Sequence, residues 1–342
     1  MKPYRQSDYD VTNTVQVSSP AAVTKAVFDT LAEAFPEEEF THARQAYVDF
    51  ERLFTGKWPG FLGCDMVYHD IQHTLDMSLA VARILTGHDL TVDTDERLGA
   101  GRAELGMIVA LFHDAGYIRS SEEDTMYRHG AELTQSHVGR SAELLKSYLP
   151  TIGLADKAEL ASVIVHFTGY EIPLDDIQVD DPLDRRLGHL VATGDMIAQM
   201  ADRCYLEKCR DRLFPEFVVG GVNLLDGDQP DETDKADQPD QPAWTPEELL
   251  RRTPMFFDQV MKDRLDGTFN SGYKYLEVLF GGKNPYLESI RQSMDYLQHI
   301  IDTGKWDLLR REPPVFSWQP DDEDAVTIIQ KLAAEDLKKL AG

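Results

Sequence analysis

The sequence predicts an all-α fold for this chain of 342 residues. Apolar residues recur at helical spacing along most of the chain, for example in residues 21–35 and 41–54. The sequence has no convincing alternation of apolar and polar β-branched residues, the pattern of a half-buried strand. Apolar residues make up 42% of the chain, which is enough for one large core or two modest ones.

Two stretches interrupt the helical pattern. One covers residues 171–184, and the other covers residues 225–244, where repeated Pro, Asp and Gln cannot pack a core. We therefore predict a disordered acidic loop at 225–244 within a single helical domain of residues 21–342. The polar, Ser- and Thr-rich residues 1–20 predict a flexible N-terminal tail.

Amphipathic segments resume after the predicted loop, at residues 247–265 and 286–301. In the second segment Ile290, Met294, Leu297 and Ile301 fall on one helical stripe, which is typical of core or partner contacts. The last predicted helix, residues 324–340, either caps the fold or supports a homodimer. The pattern fits both arrangements.

Charge and cysteine content limit the classes of partner. Sixty acidic and 34 basic side chains give a net charge of −26, which repels nucleic acid and anionic membranes. The sequence has neither an apolar leader nor an apolar run long enough to span a bilayer. Cys64, Cys204 and Cys209 form no CxxC pair, so reduced thiols are expected. We expect a soluble cytoplasmic protein with no nucleic-acid or membrane partner.

The dipeptide His-Asp occurs three times, and its context separates the three copies. His113-Asp114 ends the apolar run of residues 105–112 and precedes Gly116, which can supply the C-terminal turn of a buried helix. Burial of both side chains is unfavourable unless they find a partner, and a divalent cation is a natural one. Taken alone, the pair also fits a hydrogen-bonded core histidine followed by a capping aspartate.

A second pair of histidines lies upstream. His69 and His73 are four residues apart, so both imidazoles project from one face if the segment is helical. One of them can then bind a metal while the other addresses a substrate beside it. Two exposed helix histidines are the alternative interpretation.

Three further residues are candidates because of their apolar surroundings. Asp195 lies inside an apolar helical segment and requires a cation there, either a metal or an arginine such as Arg203. His137 and His166 each start or end an apolar helix, as His113 does, and each is either a ligand or a satisfied capping histidine. Successive candidates from His73 to Asp195 are separated by about one helical hairpin, so successive helices can present ligands to one central point.

This ordered set of a His, a His-Asp pair and a distal Asp, with YHxxxH upstream, resembles the HD superfamily of metal-dependent phosphohydrolases. That superfamily includes cyclic nucleotide phosphodiesterases. Residues 195–217 are also similar to the last metal-ligand helix of bacterial HD phosphohydrolases. The similarity covers residues 66–217 and extends weakly to residues 280–297. It implies a multi-helix bundle around a central metal site that holds one or two divalent ions, whether Mg, Mn, Fe or Zn.

The resemblance also implies roles for the matching residues. The ligands that it implies for the first metal are His73, His113, Asp114 and Asp195. Asp114 would bridge to a second ion at the catalytic centre, and His69 would act as the general acid. His137 and His166 are additional candidate ligands, a pattern found in dinuclear members, some of which are di-iron oxygenases.

The function favoured by this pattern is that of a metal-dependent phosphohydrolase, most simply a phosphodiesterase that acts on a small phosphorylated substrate such as a nucleotide. Arg119, Arg140 and Arg203 lie close in sequence to the ligands and are candidates to orient phosphate, as is Gln199. Two other classes stay open: a di-iron oxygenase held by four His and two Asp, and a non-catalytic metal- or ligand-binding protein. His69 favours the hydrolase because phosphodiester cleavage needs a general acid.

Overall fold

The protein is described from a computed structural model that covers residues 5–222, 245–319 and 324–341. As predicted, the described residues form an all-α fold. They contain no β-strand and only two isolated β-bridges, Tyr9 with Gln16 and Phe61 with Ser120. The loop predicted at 225–244 lies outside the described residues.

The described part of the chain contains twelve α-helices. Their bounds are α1 Pro20–Ala34, α2 Thr41–Phe54, α3 Ile71–Thr91, α4 Gly99–Phe112, α5 His137–Tyr148, α6 Ala158–Ile164, α7 Pro182–Ala201, α8 Tyr205–Lys208, α9 Phe214–Val219, α10 Pro246–Gln259, α11 Pro285–Thr303 and α12 Ala325–Ala341. Two π-helical segments continue the neighbouring helices. Cys209–Leu213 joins α8 to α9, and Val260–Thr268 extends α10.

Helix α3 lies at the centre of the fold. Its N-terminus is capped by Asp70, whose Oδ1 accepts a hydrogen bond from the backbone N–H of His73 at 3.0 Å. Every residue from Ile71 to Asp89 is buried, because α1, α4, α7 and the 3₁₀ segment Gly272–Phe280 surround the helix. A helix enclosed on all sides fixes the position of any side chain that it carries.

A glycine allows α7 to approach α3 closely. A Cβ atom added to Gly194 would lie 2.4 Å from Cγ2 of Val81 and 3.1 Å from its backbone nitrogen. Any larger residue at this position would therefore push the two helices apart. The next residue is Asp195, so this contact sets the distance between the Asp195 carboxylate and α3.

The start of the described chain packs against the core, so residues 5–19 do not form the flexible tail predicted for residues 1–20, of which residues 1–4 lie outside the described residues. Asp10 is fully buried, and its Oδ2 accepts a hydrogen bond from Nη2 of Arg83 at 2.7 Å. Arg5 donates from Nη1 to the backbone oxygen of Ala201 at 2.8 Å. A buried arginine needs a carboxylate partner, and this polar segment supplies it. Residues 5–19 therefore belong to the helical domain.

The predicted apolar stripe lies on α11, and α12 packs on the fold as a cap. Ile290, Met294 and Leu297 are buried, whereas Ile301 is half-buried at the edge of the stripe. Helix α12 packs against α9 through its buried face, which includes Ile329.

Within the described ranges, no helix is both long and apolar enough to cross a bilayer. The three cysteines are buried and form no disulfide.

Candidate metal centre

Three helices bring the four predicted metal ligands together. His73 lies in the first turn of α3, His113 and Asp114 follow α4, and Asp195 lies on α7. The Nε2 atom of His73 lies 3.4 Å from Oδ2 of Asp114 and 3.4 Å from Oδ1 of Asp195. The Nε2 atom of His113 lies 3.2 Å and 3.7 Å from the same two oxygens. All four side chains are buried.

These separations fit a metal ion. Nitrogen and oxygen ligands lie about 2.1 Å from a bound transition metal, which places neighbouring ligand atoms about 3.0 to 3.4 Å apart. His73, His113 and Asp114 each offer one ligand atom within 4.8 Å of the other two. This buried group of two histidines and one aspartate can hold a metal ion, and Asp195 approaches the same point from α7.

Hydrogen bonding also leaves the ligand atoms free for a metal. The Nδ1 atom of His113 donates to the backbone oxygen of Ala110 at 2.9 Å, which fixes the ring and directs Nε2 into the cluster. His113 Nε2 and Asp114 Oδ2 are buried, and neither makes a hydrogen bond to any described residue. Two such buried polar atoms cost about 1 to 3 kcal/mol each unless a cation or water satisfies them.

The electrostatics of the cluster favour positive charge. Burial lowers the pKa of His73, but the carboxylates of Asp114 and Asp195 outweigh that effect and raise its pKa to about 10. Burial likewise opposes ionisation of Asp114, but its histidine neighbours hold the pKa of this carboxyl well below its usual range. A site that keeps Asp114 ionised beside a histidine that holds its proton tightly suits a divalent cation, which binds by displacing that proton.

His137 extends the cluster on the other side of Asp114. Its Nε2 lies 3.7 Å from Asp114 Oδ1, whereas Oδ2 of the same carboxylate faces His73 and His113. His137 Nδ1 donates to the backbone oxygen of Thr134 at 2.6 Å. The two oxygens of Asp114 therefore face different histidines, as a carboxylate that bridges two ions would.

Gly116 makes this approach of His137 possible. We expected this glycine to supply the C-terminal turn of α4, but the chain instead continues through a short 3₁₀ turn, Ala115–Tyr117. A Cβ atom on Gly116 would lie 1.8 Å from the backbone oxygen of His137. The glycine therefore permits contact between this turn and the start of α5.

His166 has a buried ring nitrogen, Nδ1, that makes no hydrogen bond to any described residue. Helix α6 ends at Ile164, and His166 lies in a 3₁₀ turn, Val165–Thr168. Burial lowers the pKa of His166, and the Glu171 carboxylate, which lies 3.8 Å from His137 Nδ1, opposes that effect. Among the described residues, Thr168 lines the cavity above the cluster and His166 does not.

His69 lies beside the cluster, but it is not on a helix face. Asp70 caps α3, so His69 precedes the helix, and the i, i+4 arrangement expected for His69 and His73 is wrong. The two rings still lie 5.7 Å apart between their centroids. The His69 ring stacks on Tyr117, which stacks in turn on His137.

Glu216 is a site residue that the sequence interpretation missed. This fully buried carboxylate lies 2.7 Å from His69 Nδ1 through its Oε2 atom. Its Oε1 atom accepts the backbone N–H groups of Val67 and Tyr68, each at 2.7 Å. The available signal was a lone glutamate in the apolar tract of residues 213–217. The partner, however, lies 147 residues away along the chain.

Two predicted phosphate-binding arginines have structural roles instead. Arg119 donates to Asp65 at 3.0 Å and to the backbone oxygen of Tyr127 at 2.6 Å. Arg140 donates to Glu123 at 2.8 Å. Neither arginine is among the described residues that line the cavity above the cluster. Their position near ligands in the sequence reflects their role in fixing the turns that follow α4.

The other two substrate-binding candidates differ from each other. Gln199 lines the cavity, where its Nε2 donates to Asp195 at 3.4 Å and its Oε1 accepts from the Tyr68 hydroxyl at 3.1 Å. Arg203 is not among the cavity's described lining residues. It lies between α7 and α8, just beyond the end of α7.

A cavity of about 700 Å³ opens above the cluster. Its base contains the metal ligands together with His69, His137 and Gln199. Its walls are mostly apolar and come from α7, from residues 205–222 and from α10. The apolar side chains include Met196, Met200, Tyr205, Leu213, Phe217, Leu249, Met255, Phe256 and Val260.

Comparisons of the chain with models of protein families, with curated proteins and with solved structures found no match. Evidence for the function of this protein therefore comes from the residues of the site.

Proposed function

We propose that the protein is a metal-dependent phosphohydrolase of the HD type that hydrolyses a phosphate ester. The observation that carries the proposal is the meeting of two features in one cavity. One is the buried His73, His113 and Asp114 group, joined by Asp195. The other is the His69 imidazole, which Glu216 holds beside that group.

The ligand residues have separate tasks in this proposal. His73, His113, Asp114 and Asp195 would hold the first ion, and Asp114 Oδ1 and His137 would contribute to a second. Divalent ions in such a site activate water and stabilise charge on the phosphate oxygens. The hydrogen bond from His113 to the Ala110 backbone keeps the ligand nitrogen aimed inward.

His69 is suited to protonate the leaving oxygen. Because Nδ1 of the ring is engaged by Glu216 at 2.7 Å, Nε2 is the nitrogen available to the cavity. As the phosphorus–oxygen bond to the leaving group breaks, the His69 Nε2 proton would pass to the departing oxygen. The Glu216 carboxylate holds the ring through Nδ1 and so fixes the direction of Nε2. General acids placed in this way contribute about 10² to 10⁴-fold to the rate.

The charged residues that line the cavity indicate that a phosphate substrate would need bound metal for binding as well as for catalysis. Its described lining includes three carboxylates, Asp114, Glu171 and Asp195, and a single arginine or lysine, Arg252. Arg252 already donates to Glu248 at 2.9 Å. The one arginine of the lining is thus already paired, so divalent cations would supply the positive charge that orients a phosphate group here.

The contact between His69 and Glu216 favours the hydrolase over the di-iron oxygenase. The oxygenase interpretation uses four histidines and two aspartates as iron ligands and assigns no role to His69. The pair of His69 and Glu216 has a direct use in ester hydrolysis, whereas an oxygenase does not require it.

The test compares His69→Gln with the unaltered protein on two diesters, methyl phenyl phosphate and methyl p-nitrophenyl phosphate. We expect His69→Gln to keep its metal and to lose about 10² to 10⁴-fold on the phenyl ester. The loss on the p-nitrophenyl ester should be much smaller, because that leaving group needs little protonation. Rates should be the same with and without oxygen. Equal losses on both esters would refute the acid role, and turnover only with iron and dioxygen would favour the oxygenase.

A further inference from the structure

The walls of the cavity differ in chemistry from the metal cluster at its base. Helix α7 contributes Met196 and Met200, α10 contributes Leu249 and Phe256, and the π-helical extension of α10 contributes Val260. Ligand sites lined mainly by apolar side chains bind the apolar part of a ligand, while a few polar groups orient it. In this cavity the polar groups lie at the base, and the apolar groups form the walls.

The apolar character continues to the surface. Tyr170, Met255 and Phe256 line the cavity and are 63%, 60% and 45% exposed. They are three of the eight large hydrophobic side chains that are exposed in the described structure. Exposed apolar groups that cluster at one opening mark a site for an apolar ligand or partner, whereas isolated ones need no explanation.

The charged residues of the lining limit the number of phosphate groups that a ligand can carry. The lining carboxylates are Asp114, Glu171 and Asp195, and Arg252 is the one lysine or arginine among the described lining residues. Its guanidinium is already paired with Glu248 at 2.9 Å. One or two bound cations can neutralise one phosphate group, but the lining offers no further cations for a polyphosphate chain.

We propose, on the basis of the function proposed above, that the substrate is an amphipathic phosphate ester with one phosphate group and one bulky alkyl group. The phosphate lies at the base, against the metal ligands and His69. The alkyl group fills the space between α7 and α10 and leaves past Phe256. Three methionines in these walls, Met196, Met200 and Met255, can adapt to a flexible chain because their own side chains are unbranched and flexible.

A series of esters with one leaving group tests this proposal. The protein with its bound metal is assayed on p-nitrophenyl diesters whose second group is methyl, butyl or octyl. We expect kcat/KM to rise about two- to fourfold for each added methylene, because each one leaves water for the cavity wall. A flat series, or faster hydrolysis of ATP than of the octyl ester, would overturn the proposal.

Two matched substitutions locate the effect. Phe256→Ser removes a 45% exposed side chain from the cavity wall, and Val278→Ser removes a 46% exposed side chain that does not line the cavity. Phe256→Ser should lower kcat/KM for the octyl ester about tenfold and leave the methyl ester within twofold. Val278→Ser should change neither. Equal behaviour of the two variants would contradict the assigned path of the alkyl group.

Binding separates this proposal from the proposed function. Octylphosphonate and methylphosphonate have a carbon–phosphorus bond that the proposed reaction cannot cleave, so calorimetric titration of either one measures binding alone. Tighter binding of octylphosphonate, weakened by Phe256→Ser, together with no hydrolysis of any ester would sink the hydrolase and keep the ligand class. Hydrolysis of the methyl diester with equal binding of both phosphonates would keep the hydrolase and overturn the ligand class.

Discussion

Oε2 of Glu216 lies 2.7 Å from Nδ1 of His69, and Oε1 of the same carboxylate is held by two backbone amides. The carboxylate is fully buried and has no freedom to turn away from the imidazole. This contact ties residues 205–219 to the segment that precedes α3. It also orients the one histidine of the cavity base that the proposed mechanism uses as an acid.

Glu216→Gln should reduce activity through His69 without removing metal. The amide keeps the shape of the side chain but makes a weaker hydrogen bond to Nδ1 of His69 than the carboxylate does. We expect kcat to fall about 10- to 100-fold on the phenyl diester, with a smaller loss on the p-nitrophenyl diester.

The matched control for Glu216→Gln is Glu207→Gln. Glu207 is equally buried on the same stretch of chain, pairs with Arg311 at 3.3 Å, and does not line the cavity. Both variants should lose stability, but only Glu216→Gln should change the ratio of rates on the two esters. An unchanged ratio in Glu216→Gln would show that this carboxylate has a structural role only.

Asp10→Asn should destabilise the whole domain. The substitution leaves the buried Arg83 guanidinium without its carboxylate partner, and breaking a buried ion pair costs about 3 kcal/mol or more. Urea unfolding measures the loss. Asp8→Asn serves as the control. The Asp8 carboxylate accepts hydrogen bonds from the nearby Gln16 and Ser18, and its loss should cost about 1 kcal/mol. Equal effects of both variants would mean that Asp10 does not anchor the segment.

His189 should make stability depend on pH between about 6.5 and 4. Its ring lies between Phe167 and Phe269, with centroid distances of 5.1 and 5.3 Å. Burial is the main cause that lowers the pKa of His189 to about 4, and neighbouring arginines add to it. Protonation therefore favours the unfolded chain, so this contribution is complete above pH 6.5 and is lost as the pH falls towards 4.

His189→Gln cannot take up that proton, so its melting temperature should fall less than that of the unaltered protein over the same pH range. His299→Gln removes an exposed imidazole on α11 and controls for the loss of a histidine from the unfolded chain. Parallel curves for the unaltered protein and His189→Gln would contradict the assignment.

The features that could be predicted from the sequence are those carried by local pattern. Helical periodicity predicted the fold class, and the position of His113-Asp114 at the end of an apolar run predicted its burial beside the end of α4. The spacing of His73, His113 and Asp195 predicted that their helices would meet. Each of these inferences depends on residues close together in the chain or on the length of a helix.

The inferences that failed depend on details that local pattern does not contain. The cap at Asp70 placed His69 outside α3. Arg119 pairs with Asp65, and Glu216 pairs with His69, each across a long stretch of chain. Such contacts follow from how the helices pack, so single residues in the sequence do not reveal them.

Metal content tests the central claim most directly. We expect the purified protein to contain at least one equivalent of a divalent transition metal or magnesium by elemental analysis, and Asp114→Asn to lose most of it. Asp89→Asn is the matched control, because Asp89 is also buried next to a histidine but accepts the backbone amides of Leu98 and Gly99 instead. It should keep its metal. Full metal content in Asp114→Asn, or none in the unaltered protein after metal is supplied, would contradict the account.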